Sequence, residues 1–220
     1  QIGFGIESAQ EIDLKEISAR CSGDVEVDPK GLVSPQEAHL RFGPRWRVLR
    51  RRAYGEGEGL AELALPDAFR AEPAQGYPIH PALMDLATGW AMGLIEGYQA
   101  NHLWVPVSYG SVRVHAPLTA EIRSWVRNAG DNRSGNPFAR FDVTLTDPDG
   151  KVLIEISGFT IHRLEGAFDF SASSGKRDVI FPDQRQSDRK LSQAEERLQH
   201  NLSQGIRPQE GAEGFVRALA

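Results

Sequence analysis

The 220-residue sequence contains one cysteine, Cys21, and two methionines. A single thiol excludes an intramolecular disulfide and a zinc site built from paired cysteines, and it fits a reducing compartment. Long apolar runs are missing too: the longest apolar segment, after His80, is broken by Thr88, Gly89, Gly93 and Glu96, and Gln1 opens no signal-like stretch. Neither secretion nor a membrane span is expected, which leaves a cytoplasmic location. Positive charge is not in excess, with 25 Lys and Arg against 30 Asp and Glu and a formal net charge of -5. That excludes the concentrated basic face of a nucleic-acid binder. The local patch Arg50-Arg51-Arg52 could still face an acidic carrier partner. The chain does not begin with Met and reads as a piece of something longer.

What is present is an ordinary globular composition, 40% hydrophobic and 25% charged, for which one compact domain with extensions is the expectation. Residues 1–30 mix glycine, acidic residues and the amphipathic run Ile12 to Arg20, and read as a linker or the start of the domain. The folded core is expected over 31–164. Residues 165–190 are polar and charged, typical of a linker. In 191–220, Ser192 and Glu195 make a capping box ahead of Leu198 and Leu202, and Pro208 to Leu219 could start a second helix, as in a helical tail or docking segment.

Within the core, Ser34-Pro35 opens a helix that should stop near Phe42-Gly43-Pro44. Trp46 to Tyr54 and Leu60 to Leu65 read as strands joined across a glycine-rich connection at 55–59, the pattern of a hairpin. A helix from His80 to Tyr98 follows, apolar nearly all round and therefore expected inside the protein. Four extended runs come next: Val112 to His115, Glu121 to Arg127, Phe138 to Thr146 and Val152 to Leu164. The last two are separated by the turn Asp147-Pro148-Asp149-Gly150. Phe141, Val143 and Leu145 alternate with Asp142, Thr144 and Thr146, so one strand face should be dry and the other wet. Two strands, one long buried helix and several antiparallel strands suit an α+β hotdog, a sheet wrapped around one long central helix, with polar N- and C-terminal extensions. A generic α+β sandwich is the competing arrangement.

Asp85 is a carboxylate inside the apolar part of the His80 to Tyr98 helix, well ahead of Glu96 near its end. Buried charge is costly unless paired, and Asp is a mediocre helix-interior residue, so Asp85 is either a structural cap or a working acid.

His80-Pro81-Ala82-Leu83-Met84-Asp85 resembles the signature that opens the central helix in the C-terminal hotdog half of polyketide synthase dehydratase domains. Phe42-Gly43-Pro44-Arg45-Trp46-Arg47 is similar to the family's Tyr-Gly-Pro-x-Phe-Gln segment, and Val105-Pro106-Val107-Ser108-Tyr109 to its Leu-Pro-Phe-Ser-Trp segment. Gly110 to Pro117 resembles the strand after it, and the likeness spans residues 11 to 164.

The resemblance implies a hydro-lyase that removes water from a 3-hydroxyacyl chain carried on the phosphopantetheine of an acyl carrier protein, with no further cofactor and no metal. Asp85 is by position the family's acid, kept neutral in a pocket lined by Leu83, Trp90 and Val107. His80, Pro81, Phe42, Gly43, Pro44, Gly89, Val105, Pro106 and Tyr109 are the implied substrate-binding positions. Implied partners are the carrier protein, neighbouring polyketide synthase domains, and an N-terminal hotdog half or a second copy covering an open sheet edge.

The departures from the family are specific. The family's catalytic His-x-x-x-Gly-x-x-x-x-Pro motif does not occur, and the six histidines, His39, His80, His102, His115, His162 and His200, have other settings. His80 is structural in the family, at the helix entry. Gly89 stands where Gln or His usually bonds the acid, Arg47 replaces Gln, and Phe42 replaces Tyr. The base is thus expected on a part outside this chain, with the isolated chain incomplete. The alternatives are a pseudo-dehydratase that spaces or docks its neighbours, or a relative that cyclises or isomerises the acyl chain.

Overall fold

The computed structural model describes residues 10–164. The chain divides into two units at residues 172 and 173, and the expected linker at 165–190, the tail at 191–220 and His200 lie outside the described residues.

The described residues build one antiparallel sheet of eight strands: β1 (Gly23–Val27), β2 (Leu49–Tyr54), β3 (Glu58–Ala64), β4 (Trp104–Ser108), β5 (Ser111–Val114), β6 (Glu121–Asn128), β7 (Phe138–Thr146) and β8 (Val152–Arg163). Their spatial order is β1-β2-β3-β6-β7-β8-β4, with β5 also paired to β8. The glycine-rich connection makes the β2–β3 hairpin, with Tyr54 opposite Gly59. Asp147 and Gly150 close the β7–β8 turn as expected. The edge strand β4 carries Pro106, a residue that cannot donate to a sheet ladder and is tolerated at an edge.

Among the described residues two α-helices pack on the sheet: α1 (Leu14–Arg20) and α2 (Pro81–Gly89). Helix α2 buries Ala82, Leu83, Leu86, Ala87 and Thr88 in a core with Leu63, Ile122, Phe141 and Ile154 from the sheet. Each such large side chain, once buried, contributes roughly 1.5–3 kcal/mol. A hydrogen-bonded seam fixes the helix to β6. The Trp90 indole N–H donates to Ser124 Oγ at 3.0 Å, and that hydroxyl donates to the Ala87 carbonyl at 2.7 Å. This is the α+β hotdog expected from the sequence.

The central helix is shorter than the run His80 to Tyr98 predicts. It is α-helical only to Gly89, passes into a 3-10 segment at Trp90–Leu94 and leaves helical dihedrals at Ala91. Glycine is a poor helix former, and Gly93 is required here because Tyr54 lies against it: a Cβ would stand 2.6 Å from Tyr54 Cζ. The chain then reverses through Gly97 at φ 70. The helix expected after Ser34 is likewise one 3-10 turn, Pro35–Ala38, with its capping box complete.

Residues 11–27 are part of the fold rather than a linker. Strand β1 extends the sheet beside β2, and Ile12 and Gln10 hydrogen-bond to Gly150 and Val152 at the β7–β8 turn. Ile17 and Cys21 pack with Ala53 and Leu60 in a second apolar cluster. Thr144 and Thr146, expected on the wet face of β7, are consequently buried, and Thr144 accepts a hydrogen bond from Arg127.

Candidate active site

Asp85 projects from α2 and is exposed, not buried. Of the residues expected to enclose it, Leu83 and Trp90 are wholly in the core and Val107 is 51% exposed. A nine-residue helix lying on a sheet turns one stripe inward, and position 85 lies off the stripe made by residues 82, 83, 86 and 87.

Beside Asp85 opens a cavity of about 110 Å³, room for a few heavy atoms by comparison with the ~30 Å³ share of a water. Phe42, Leu86, Met92, Val105, Pro106 and Phe159 make most of its wall apolar, and Gly89 lines it one helical turn beyond Asp85. A Cβ at Gly89 would meet nothing within 4 Å, so the space there is open. Gln36 holds the floor while itself buried. Its Oε1 accepts the Trp104 backbone N–H at 2.9 Å, and its Nε2 lies 3.0 Å from Met92 Sδ and 3.2 Å from the Tyr98 hydroxyl.

The Asp85 carboxylate accepts the indole N–H of Trp46 on Oδ2 at 2.7 Å. Trp46 belongs to the 3-10 turn Pro44–Trp46, whose backbone closes on Gly43. Its two neighbours in sequence are both pinned. Arg45 forks onto Glu72 at 2.8 and 2.9 Å, and Arg47 forks onto Glu37, with the Nη2–Oε2 contact at 2.6 Å. Behind the wall residue Phe159, Tyr109 packs its ring at a tilt, 5.1 Å between ring centres. Its hydroxyl is pushed up in pKa by burial and then by the charge of Asp85, against a hydrogen bond with Thr88.

His80 caps the N-terminus of α2 but faces away from the cavity. It is 1% exposed, and its Nε2 meets Glu72 Oε2 at 2.7 Å, while Nδ1 has no hydrogen-bond partner. In that pairing Nε2 is the donor, since a carboxylate can only accept. The Glu72 carboxyl is held down to about 2, first by the Arg45 guanidinium and then by His80. His80 therefore ties the helix head to the Arg45 turn.

The structure thus brings Asp85, Phe42, Gly89, Val105 and Pro106 to one cavity, while Tyr109 lies outside the lining, against Phe159 of its wall. Gly43 and Pro44 form the turn that delivers Trp46, while His80 and the exposed Pro81 are outside the lining. Among the described residues no histidine lines it. His39 bonds the Ala100 carbonyl, His115 bonds Glu155, and His162 stacks on Phe138. His102 lines a separate polar cavity with Trp104 and Arg163. The patch Arg50-Arg51-Arg52 is partly neutralised, since Arg51 and Arg52 pair with Glu62 and Glu26.

Sequence patterns pass over Trp46, Gln36 and Thr88. Trp46 reads as the first residue of a strand and Gln36 as a helix-start residue. The side-chain partners of Trp46 and Gln36 are 39 or more residues away in sequence.

Residues 11–168 match a family described as "Polyketide synthase dehydratase N-terminal domain". The chain is 26% identical over 160 residues to the polyketide synthase PksM of Bacillus subtilis, covering 70% of this chain and 4% of that protein. Among solved structures, a trans-AT polyketide synthase dehydratase domain from Brevibacillus brevis matches with TM-score 0.60 at 23% identity, over 71% of this chain and 54% of that one. An inactive Asp-to-Asn variant of the CurK dehydratase matches with TM-score 0.56 at 18% identity, over 73% and 55%. The chain therefore spans about half the length of the solved dehydratase domains it resembles.

Proposed function

The chain belongs to the polyketide synthase dehydratase family, and on that premise we propose that it is the acid-bearing half of a dehydratase that removes water from a 3-hydroxyacyl thioester on an acyl carrier protein. The observation that carries this reading is Asp85 itself, oriented by an indole N–H at the edge of a small apolar cavity. That an Asp-to-Asn variant of the CurK dehydratase is inactive supports an acid role for an aspartate in this fold. The motif at the head of α2 supports placing the chain in the C-terminal half, whereas the matching family is described as the N-terminal domain.

Two groups divide the chemistry. A base takes the proton from the carbon next to the thioester carbonyl, and that C–H electron pair becomes the new C=C bond. The C–O bond at the next carbon breaks with its pair going to oxygen, which takes the proton of Asp85 and leaves as water. Asp85 ends as a carboxylate and the base ends protonated; a proton passed back from one to the other restores the site. The described residues supply the acid, and the base is a histidine outside them. The apolar wall at Phe42, Val105, Pro106 and Phe159 receives the acyl chain and keeps water from the reacting carbons.

The test is the complete parent domain given a 3-hydroxyacyl thioester, with products followed by mass. Loss of one water with a new conjugated double bond supports dehydration. A shifted double bond or a ring without water loss would reassign the site to isomerisation or cyclisation, and no conversion would make the domain a spacer or dock.

A further inference from the structure

The carboxyl of Asp85 meets a donor that only gives. An indole N–H has no acceptor capacity, so in the protonated acid it pairs with the carbonyl oxygen rather than with the hydroxyl. It stands 2.7 Å from Oδ2. Position 89, one turn along the same helix face, has no side chain to reach back to the carboxyl, and its surroundings are open. The orienting hydrogen bond comes instead from another element, a turn held on both sides of Trp46 by the Arg45–Glu72 and Arg47–Glu37 pairs. Glu72 also receives His80 at the head of the helix that carries Asp85. Donor and acceptor are therefore mounted on one connected frame, and Trp46 packs against the main core besides.

We propose that Trp46 is the positioning residue of Asp85: by occupying Oδ2 it makes Oδ1 the oxygen that carries the transferred proton. The consequence for turnover rests on the dehydration reading; the hydrogen bond and its test do not. A neutral acid bonded this way has its proton confined to one oxygen and one direction. After transfer, the carboxylate keeps the same bond, now to a charged acceptor and stronger.

Two measurements test it. In the nitrogen-15 labelled 220-residue chain, Asp85→Ala, an exposed helix position suited to alanine, should move the indole N–H resonance of Trp46 while those of Trp90 and Trp125, bonded to Ser124 and Glu58, hold still. An unmoved Trp46 resonance overturns the proposal, whether or not the domain dehydrates anything. In the complete parent domain, Trp46→Phe should lower kcat about tenfold or more with KM within about twofold, in the range seen when an orienting partner is lost. Adding Gly89→Gln to that variant should restore much of the loss by supplying a donor from the next turn. A deficit that Gly89→Gln does not relieve would mean that Trp46 acts through packing, and would sink the positioning role. If the parent shows no dehydration at all, the dehydratase reading fails and the indole resonance alone decides the bond.

Discussion

The buried imidazole of His80 meets the carboxylate of Glu72 at 2.7 Å, and Arg45 grips the same carboxylate from the other side. Glu72 thereby joins the head of α2 to the turn that holds Trp46. The sign of its pH dependence follows from the depression of its carboxyl from 4.5 to about 2. The unfolded chain takes up the proton first, so the stabilisation is complete above about 4.5 and is lost as pH falls toward 2. In urea melts at a series of pH values, the gap in midpoint between wild type and Glu72→Gln should be widest above pH 5 and close through that window. A gap independent of pH would remove the ionised Glu72 from the account.

Ser124 accepts from Trp90 and donates to Ala87, so Ser124→Ala strips a partner from a buried indole N–H and a carbonyl at once. Each buried polar group left unpaired costs roughly 1–3 kcal/mol. Urea unfolding should show Ser124→Ala destabilised by at least about 1 kcal/mol, and equal stability would show that water or a neighbour replaces the hydroxyl.

Cys21 is wholly buried, and its thiol is pushed up to about 11 by that burial and then by the charge of Glu58. The thiolate is the reactive form. At neutral pH, a thiol reagent should label the native chain far more slowly than the urea-unfolded chain. Equal rates would place Cys21 at the surface.

Gly89 lines the Asp85 cavity with open space where a side chain would go. Gly89→Trp should fill that space well beyond what a Gln folded back onto Asp85 would occupy, leave the thermal midpoint within a few degrees of wild type, and abolish turnover of the complete domain. Unchanged turnover would show that the acyl chain lies elsewhere.

Much of this architecture is legible in local pattern. The 55–59 connection, the Asp147 to Gly150 turn and the alternation of Phe141, Val143 and Leu145 are short-range signals, and the hairpins they predict are present. The end of the central helix is not legible, because the run stays apolar past Gly89 and the Tyr54 ring that packs against Gly93 comes from another strand. The outer face of β7 fails for a related reason: threonines look solvent-facing until residues 10–21 are known to lie on that side of the structure. At the site, Asp85 could be singled out because a carboxylate in an apolar run is locally anomalous. Its exposure and its partner could not, since Trp46 reaches it across 39 residues from a turn.

The most direct test of the central claim is the rate of water loss from a 3-hydroxyacyl thioester by the complete parent domain with Asp85 replaced by Asn. The amide keeps the shape of the carboxyl and an acceptor for Trp46, but has no acidic proton to give. A general acid typically supplies roughly 10²–10⁴-fold, and Asp85→Asn should lose a factor of that order while the chain stays folded. Turnover at the wild-type rate would contradict the acid role of Asp85 outright.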